Sequence, residues 1–301
     1  MSGASDDAEL RIICGPTGAG KSAVALALAE RVGARILSVD SRQIYRGFDI
    51  GTAKPSAADR ARVAHDGIDI ADPSERWSAA RFAEYAHASL ASAERPMVIV
   101  GGTGLWLRAL VTPLFSEPPL DAPRRTALAD ALDARSTEEL RRWVQQLDPA
   151  RASLGRTQLL RAIEIALLTG QRISALHAAS AAAARPARWL VVDPGVRLAA
   201  QIESRLDAML AAGWLEEVRS LAARVPEDAP AWKASGYARL RAGGDARAVR
   251  DAILIETRQY AKRQRTWFRH QLAEAQVTRV DPYDPDCAGI VHRWWTGEGT
   301  A

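Results

Sequence analysis

Gly15-Pro-Thr-Gly-Ala-Gly-Lys21-Ser22 follows the apolar run Leu10-Arg-Ile-Ile-Cys14 and opens the Ala- and Leu-rich stretch Ser22 to Val32, which stops at Gly33. The octapeptide matches G-x-x-x-x-G-K-[ST], and its setting between a strand and a helix is the one that gives the motif meaning. Backbone N–H groups of Gly18 to Ser22 are expected to converge on phosphate oxygens at a helix N-terminus. Lys21 would neutralise the terminal phosphates, and the Ser22 hydroxyl is the expected ligand of a Mg²⁺ ion. The whole loop, from Gly15 through Pro16, Thr17, Gly18, Ala19, Gly20 and Lys21 to Ser22, is therefore read as a cradle for a diphosphate or nucleotide.

Working outward, Arg35-Ile-Leu-Ser-Val39, Pro96-Met-Val-Ile-Val100, Arg188-Trp-Leu-Val-Val192 and a segment near Val277 to Val280 read as further strands. Ser78 to Glu94 has helical spacing, with Phe82, Tyr85 and Leu90 on its inner face, and a helix is expected from Leu198 to Ala223. Strands alternating with helices predict an α/β fold, a P-loop NTPase-like doubly wound parallel sheet. Between the third and fourth strands the alternation stops. Residues 117–188 carry helix signals only, bounded by Glu117-Pro-Pro119 and the Ala-rich stretch Ala178 to Pro186. The expected architecture is a discontinuous core, 1–116 and 189–301, with an inserted all-helical domain; no internal repeat is apparent.

Composition narrows the class. With 301 residues, 48% apolar and 25% charged, the chain can bury an ordinary globular core. A net charge of +4 permits a polyanionic partner without requiring one. Cys14 and Cys287 fit no metal spacing and read as free thiols of a reducing cytosol. The N-terminus MSGASDDAEL lacks the pattern of a signal peptide, and the longest helical apolar run, Ala23 to Ala29, is too short for a bilayer. A cytoplasmic protein with no membrane contact is expected. Only four of the 40 basic residues are lysines (Lys21, Lys54, Lys233 and Lys262), the other 36 being arginines. Such a bias points to places where a compact point charge serves and a planar fork does not.

The loop alone does not identify the reaction. The Asn-Lys-x-Asp motif of guanine recognition is absent, and the third strand ends Val100-Gly101-Gly102-Thr103, without the carboxylate an ATPase usually carries there. Asp40 does end the second strand, in Ser38-Val-Asp-Ser-Arg-Gln43. At the carboxyl edge of a parallel sheet it would lie in the ligand crevice. It could hold metal, accept a proton, or merely cap a helix.

Four segments occur together: GPTGAGKS (15–22), SVDSRQIY (38–45), DIGTAKP (49–55) and VGGTGLW (100–106). The set resembles the tRNA dimethylallyltransferases, also called tRNA isopentenyltransferases or the IPP transferase family. The likeness continues through His65, Asp69, Asp72-Pro73, Ser78 and Phe82, then through Arg161-Ala-Ile-Glu164, Gly236-Tyr237 and TRQYAKRQRTWFR (257–269), covering nearly the whole chain. The resemblance implies that the P-loop holds the diphosphate of dimethylallyl diphosphate, and that N6 of adenosine 37 in a tRNA anticodon loop attacks the allylic carbon. It implies Asp40 as general base, Thr103 as a residue at the reaction centre, and Lys21 as stabiliser of the leaving diphosphate, with Mg²⁺ on Ser22. It further implies tRNA contacts from Asp40, Ser41, Arg42, Gln43, Thr103 and Lys233, and from Arg125, Thr157, Gln158, Leu159, Leu160 and Arg161 in the insertion, which would meet the anticodon stem-loop. The chain is expected to act as a monomer.

RNA contact has a separate signal. On a helix through 257–269, Arg258, Lys262, Arg265 and Arg269 recur at spacings of four, three and four, a basic stripe with Trp267 and Phe268 nearby. A solvated helix face would look the same; the resemblance favours phosphate binding. Two departures from the family pattern concern substrate contacts: Leu154 and Gln158 stand where an Asn and an Arg four residues later are usual, and Ala238 intervenes before Arg239. The rival readings are a P-loop small-molecule kinase, an isopentenyltransferase of free adenine nucleotides, and a non-catalytic RNA-binding protein.

Overall fold

Leu10–Cys14 forms strand β1, and its apolar pattern, broken only by half-buried Arg11, has a plain cause: it lies inside a sheet covered on both faces. The computed structural model describes residues 9–113, 120–179 and 184–298. After β1 come α1 (Lys21–Val32), β2 (Arg35–Val39), α2 (Ala57–Arg62), β3 (His65–Asp66), α3 (Ala79–Ala91), β4 (Met97–Gly101) and α4 (Gly104–Val111). The sheet is six-stranded with every pairing parallel, in the order β3-β2-β4-β1 followed by β5 (Ala187–Val192) and β6 (Val277–Val280). Registers such as Ile12↔Ile99 and Ile12↔Trp189 put β1 between β4 and β5.

The sequence foresaw five of these strands and missed β3, whose two residues are too few to show periodicity. A bidentate pair holds β3 in place: Arg35 of β2 donates to both Asp66 oxygens at 3.0 and 2.8 Å.

Two compact units divide the chain, one comprising Met1–Thr112 and Arg185–Ala301, the other Pro113–Ala184. Sequence reading set the insertion at 117–188. The proposed linker Glu117-Pro-Pro119 lies outside the described residues, as do residues 180–183 of the Ala-rich one. The second unit holds α5 (Ala122–Asp133), α6 (Thr137–Leu147), α7 (Arg156–Thr169) and α8 (Ile173–Ala179) around its own core of Leu132, Leu140, Val144, Leu159, Ile163 and Ile173. Its fully buried Asp148 accepts from the Ser174 N–H at 2.9 Å and from the Ser174 hydroxyl, capping the start of α8.

The long helix expected over 198–223 is two helices, α9 (Leu198–Ala211) and α10 (Trp214–Ala222). Gly213, at φ 94°, turns the chain between them, a conformation that other residues resist. The break lets Trp214 and Val218 of α10 bury separately from Ile202 and Leu206 of α9. The chain continues through α11 (Tyr237–Ala242), α12 (Ala246–His270) and, after β6, α13 (Cys287–Thr296).

Candidate active site

Connections leave adjacent strands β1 and β4 in opposite directions: β1 leads to β2 on one side, and β4 leads past β1 to β5 on the other. The crevice outside the carboxyl ends of such a pair is where open α/β sheets bind ligands. Both glycine-rich segments arrive there, the P-loop from β1 and Gly101-Gly102-Thr103 from β4. Between them opens a cavity of about 890 Å³ whose lining includes Gly18 to Ser22, Asp40 to Gln43, Lys233 and Arg205.

The expected catalytic residues meet in this crevice. Asp40 follows β2, and its carboxylate accepts the Arg42 N–H at 2.8 Å, closing a local turn instead of capping a helix. The next N–H, of Ser41, donates to Thr103 Oγ1 at 3.5 Å, which ties the two loops across the β2–β4 pairing. Lys21 Nζ donates to Pro16 O at 2.7 Å within the P-loop. Burial, aided by the like charge of Arg205, lowers the Lys21 ammonium to about 8, with Asp40 and Cys14 opposing. Burial also pushes the Cys14 thiol far up, leaving it a neutral core residue.

Three residues of this site were not among the expected site residues, although Tyr260 and Gln264 fall inside the family-like run 257–269. Arg205 of α9 brings a guanidinium to the cavity whose pKa burial lowers and the charge of Asp40 raises. Tyr260 of α12 lies beside Thr103, and burial followed by the charge of Asp40 raises its phenol. Gln264, one turn further along α12, is buried between the two glycine-rich loops. Their i, i+4 spacing puts Tyr260 and Gln264 on one helix face, but only the tertiary fold shows that this face looks into the crevice.

The DIGTAKP segment is a wall of the cavity. Lys54, with a side chain only 1% exposed, donates to Tyr45 O, to Asp49 at 2.6 Å and to Asp69. A single compact ammonium meets three acceptors, the kind of place to which the scarcity of lysines pointed. Gln43 accepts from Ser38 Oγ at 2.8 Å and donates to the carbonyls of Thr52 and Ala53 at 3.1 and 3.0 Å. Its amide thus braces the wall. From the far side, Glu217 accepts the N–H groups of Asp49 and Ile50, while the Tyr237 hydroxyl accepts from Gly51 N and donates to Glu217 at 2.6 Å. Arg239, beyond the Ala238 departure, is held by Glu256 at 2.8 Å.

Along α12, the four basic residues do share a face, but they differ. Arg258 pairs with Glu203 at 2.8 Å and Arg265 with Asp193 and Gly195 O, whereas Lys262 and Arg269 are exposed. Phe268 is core and Trp267 packs against Gly104, so neither aromatic belongs to the stripe. In the helical unit, Arg125 and Arg161 both grip Glu164, the former at 2.9 Å. Thr157, Gln158 and Leu160 lie on the first turns of α7 with Arg161. Leu159 is the correction: it is fully buried in that unit's core, so its side chain packs and does not face a partner.

Comparison with known proteins agrees over most of the chain. The IPP transferase family matches residues 43–271 and the isopentenyl transferase family residues 8–64. The chain is 42% identical to a tRNA dimethylallyltransferase of Geobacter metallireducens, covering 86% of this chain and 89% of the relative. It is 42% identical to that of Halorhodospira halophila, covering 95% and 96%. The crystal structure of a eukaryotic dimethylallyltransferase acting on tRNA shares the fold, with a TM-score of 0.78 at 20% identity, over 96% of this chain and 80% of that one.

Proposed function

This chain belongs to the IPP transferase family and is a tRNA dimethylallyltransferase, and from that premise we propose how its residues divide the work. The reading is that N6 of adenosine 37 attacks the allylic carbon of dimethylallyl diphosphate. A C–N bond forms, the C–O bond to diphosphate breaks, and the N6 proton passes to Asp40. The observation carrying this is the convergence of the P-loop, Asp40 and Gly102 on one cavity, with Thr103 next to Gly102 and accepting the N–H of Ser41, the residue after Asp40. Loop N–H groups of Gly18 to Ser22, with Lys21 and Arg205, would hold the diphosphate and take up the charge that develops on it. Thr103, which accepts the Ser41 N–H and lies beside Tyr260, would orient the adenine amine.

Among the described residues no cluster of three or more His, Cys, Asp or Glu could cage a metal. A Mg²⁺ site here would take most of its ligands from phosphate oxygens and water, which is how that ion commonly binds. The Ser22 hydroxyl beside the phosphate-binding amides fits it, and the ion would neutralise diphosphate charge. We propose that the enzyme acts as a monomer. No helix among the described residues is long and apolar enough to cross a membrane, and the free thiols Cys14 and Cys287 suit the reducing cytosol we propose.

Labelled dimethylallyl diphosphate, Mg²⁺ and unmodified tRNA should suffice for transfer by the purified protein. A strict requirement for ATP, or phosphate transfer in its place, would support the kinase alternative. For the RNA face we propose that Arg125, Arg161 and the α7 start meet the anticodon stem-loop, and that exposed Lys262 and Arg269 contact phosphates. Replacing Lys262 and Arg269 with Ala should weaken tRNA binding and reduce the slope of log K against log salt by roughly 0.7–0.9 per lost contact. Affinity for dimethylallyl diphosphate should barely move. An unchanged salt slope would make the stripe an ordinary solvated face.

A further inference from the structure

Gln264 is one of few buried polar side chains among the described residues, at 7% exposure, and both ends of its amide are used. Oε1 accepts the Thr17 N–H of the P-loop at 2.8 Å, and Nε2 donates to Gly102 O of the β4 loop at 2.7 Å. The two partners demand opposite polarity, a donor on one side and an acceptor on the other, so only a group with both fits the gap, in one orientation. Gly102 is shaped to the same contact. A Cβ on it would fall 2.7 Å from Gln264 Nε2, while its other neighbours, including Lys21 Nζ at 3.6 Å, would meet it at ordinary distances. The helix touches the loop again at Gly104, where a Cβ would fall 2.4 Å from Trp267. Helix α12 thus holds two loops that leave neighbouring strands, and no backbone hydrogen bond between the loops does this for it.

We propose that Gln264 is a positioning residue for the transfer reaction: its amide sets the separation of the diphosphate-holding loop from the Gly102–Thr103 loop that orients the attacking amine. This rests on the reading of the reaction given above. The leaving group sits on one loop and the nucleophile on the other, so the in-line approach depends on their separation. Binding of either substrate alone depends on one loop only. Loosening the clasp should therefore appear in kcat and spare KM, since misplacement on the order of 1 Å can cost about 10²-fold in rate.

Gln264→Ala is expected to lower kcat by about 10²-fold while KM for dimethylallyl diphosphate and for tRNA stay within about threefold of wild type. The single-turnover amplitude, which counts competent sites, should remain near wild type and the rate constant should fall. Gly102→Ala provides the independent test, since its only severe clash is with the Gln264 amide. Alone it should lower kcat; in the Gln264→Ala background, where the obstructing atom is gone, it should add almost nothing. Wild-type kcat in Gln264→Ala, a loss carried by amplitude instead of rate, or losses that multiply in the double variant would each overturn the proposal. Absence of transfer by the wild-type protein would instead count against the reaction itself, so the two failures are distinguishable.

Discussion

Asp40→Asn lowers kcat by a factor on the order of 10²–10⁴, the usual scale for a lost general base, and leaves tRNA affinity nearly unchanged. Asparagine retains an oxygen for the Arg42 N–H, so the turn after β2 persists. It also leaves the Ser41 N–H on Thr103, so the site keeps its shape. What it loses is the ability to take the N6 proton. Single-turnover transfer of labelled dimethylallyl groups, together with tRNA binding measured separately, checks the expectation. If Asp40 acts through the Mg²⁺ shell instead, raised Mg²⁺ should partly restore the variant. Wild-type turnover would remove Asp40 from the mechanism.

Lys21→Ala should cost on the order of 10²–10³ in kcat, as the loss of a preorganised donor to a developing anion generally does. The position carries a pH signature as well. In the free enzyme burial lowers the Lys21 ammonium to about 8, and a bound diphosphate would raise it again by favouring the charged form. Below that pH, Lys21 is charged with and without ligand, and its contribution to affinity is constant. Above it, binding must take up a proton, so diphosphate affinity should fall by up to about tenfold per pH unit. The stability contribution of Lys21 runs the other way. The unfolded chain, with an ordinary lysine at 10.5, binds more protons between about 8 and 10.5, so stability from this group rises with pH there. Calorimetric titration of inorganic diphosphate across that range, in buffers of differing ionisation enthalpy, reads affinity and proton uptake together. An affinity flat from pH 7 to 10 would show that the ammonium is not the group that titrates.

The stripe on α12 shows how far a residue pattern can be trusted. Helical spacing does put Arg258, Lys262, Arg265 and Arg269 on one face. It does not report that Glu203, far away in sequence, occupies Arg258, or that Asp193 occupies Arg265. Spacing fixes direction around one helix, and ion pairing depends on which helix is packed beside it. For the same reason Phe268 and Trp267, placed with the stripe by proximity in sequence, belong to packing contacts.

Short-range physics wrote much of this protein into the order of its residues. The P-loop declares itself because phosphate cradling needs glycines, a lysine and a hydroxyl at consecutive positions between a strand and a helix. The central strands are visible because burial on both faces favours mostly apolar runs. Lys54 stood out because a composition so rich in arginine keeps few lysines, and its ammonium meets three acceptors in a space suited to a point charge. Asp40 was legible because it ends a strand, and parallel strands bring their carboxyl ends to one edge; Thr103 was pointed to by the family resemblance. Tertiary structure alone decided the rest. β3 exists only because Arg35 and the β2 edge offer partners to two residues. Arg205, Tyr260 and Gln264 enter the crevice because α9 and α12 pack there, and a helix face carries no mark of what it will meet. The clasp of Gln264 joins residues 247 and 162 positions apart, and contacts over such separations depend on the assembled sheet and its covering helices, which no local pattern encodes.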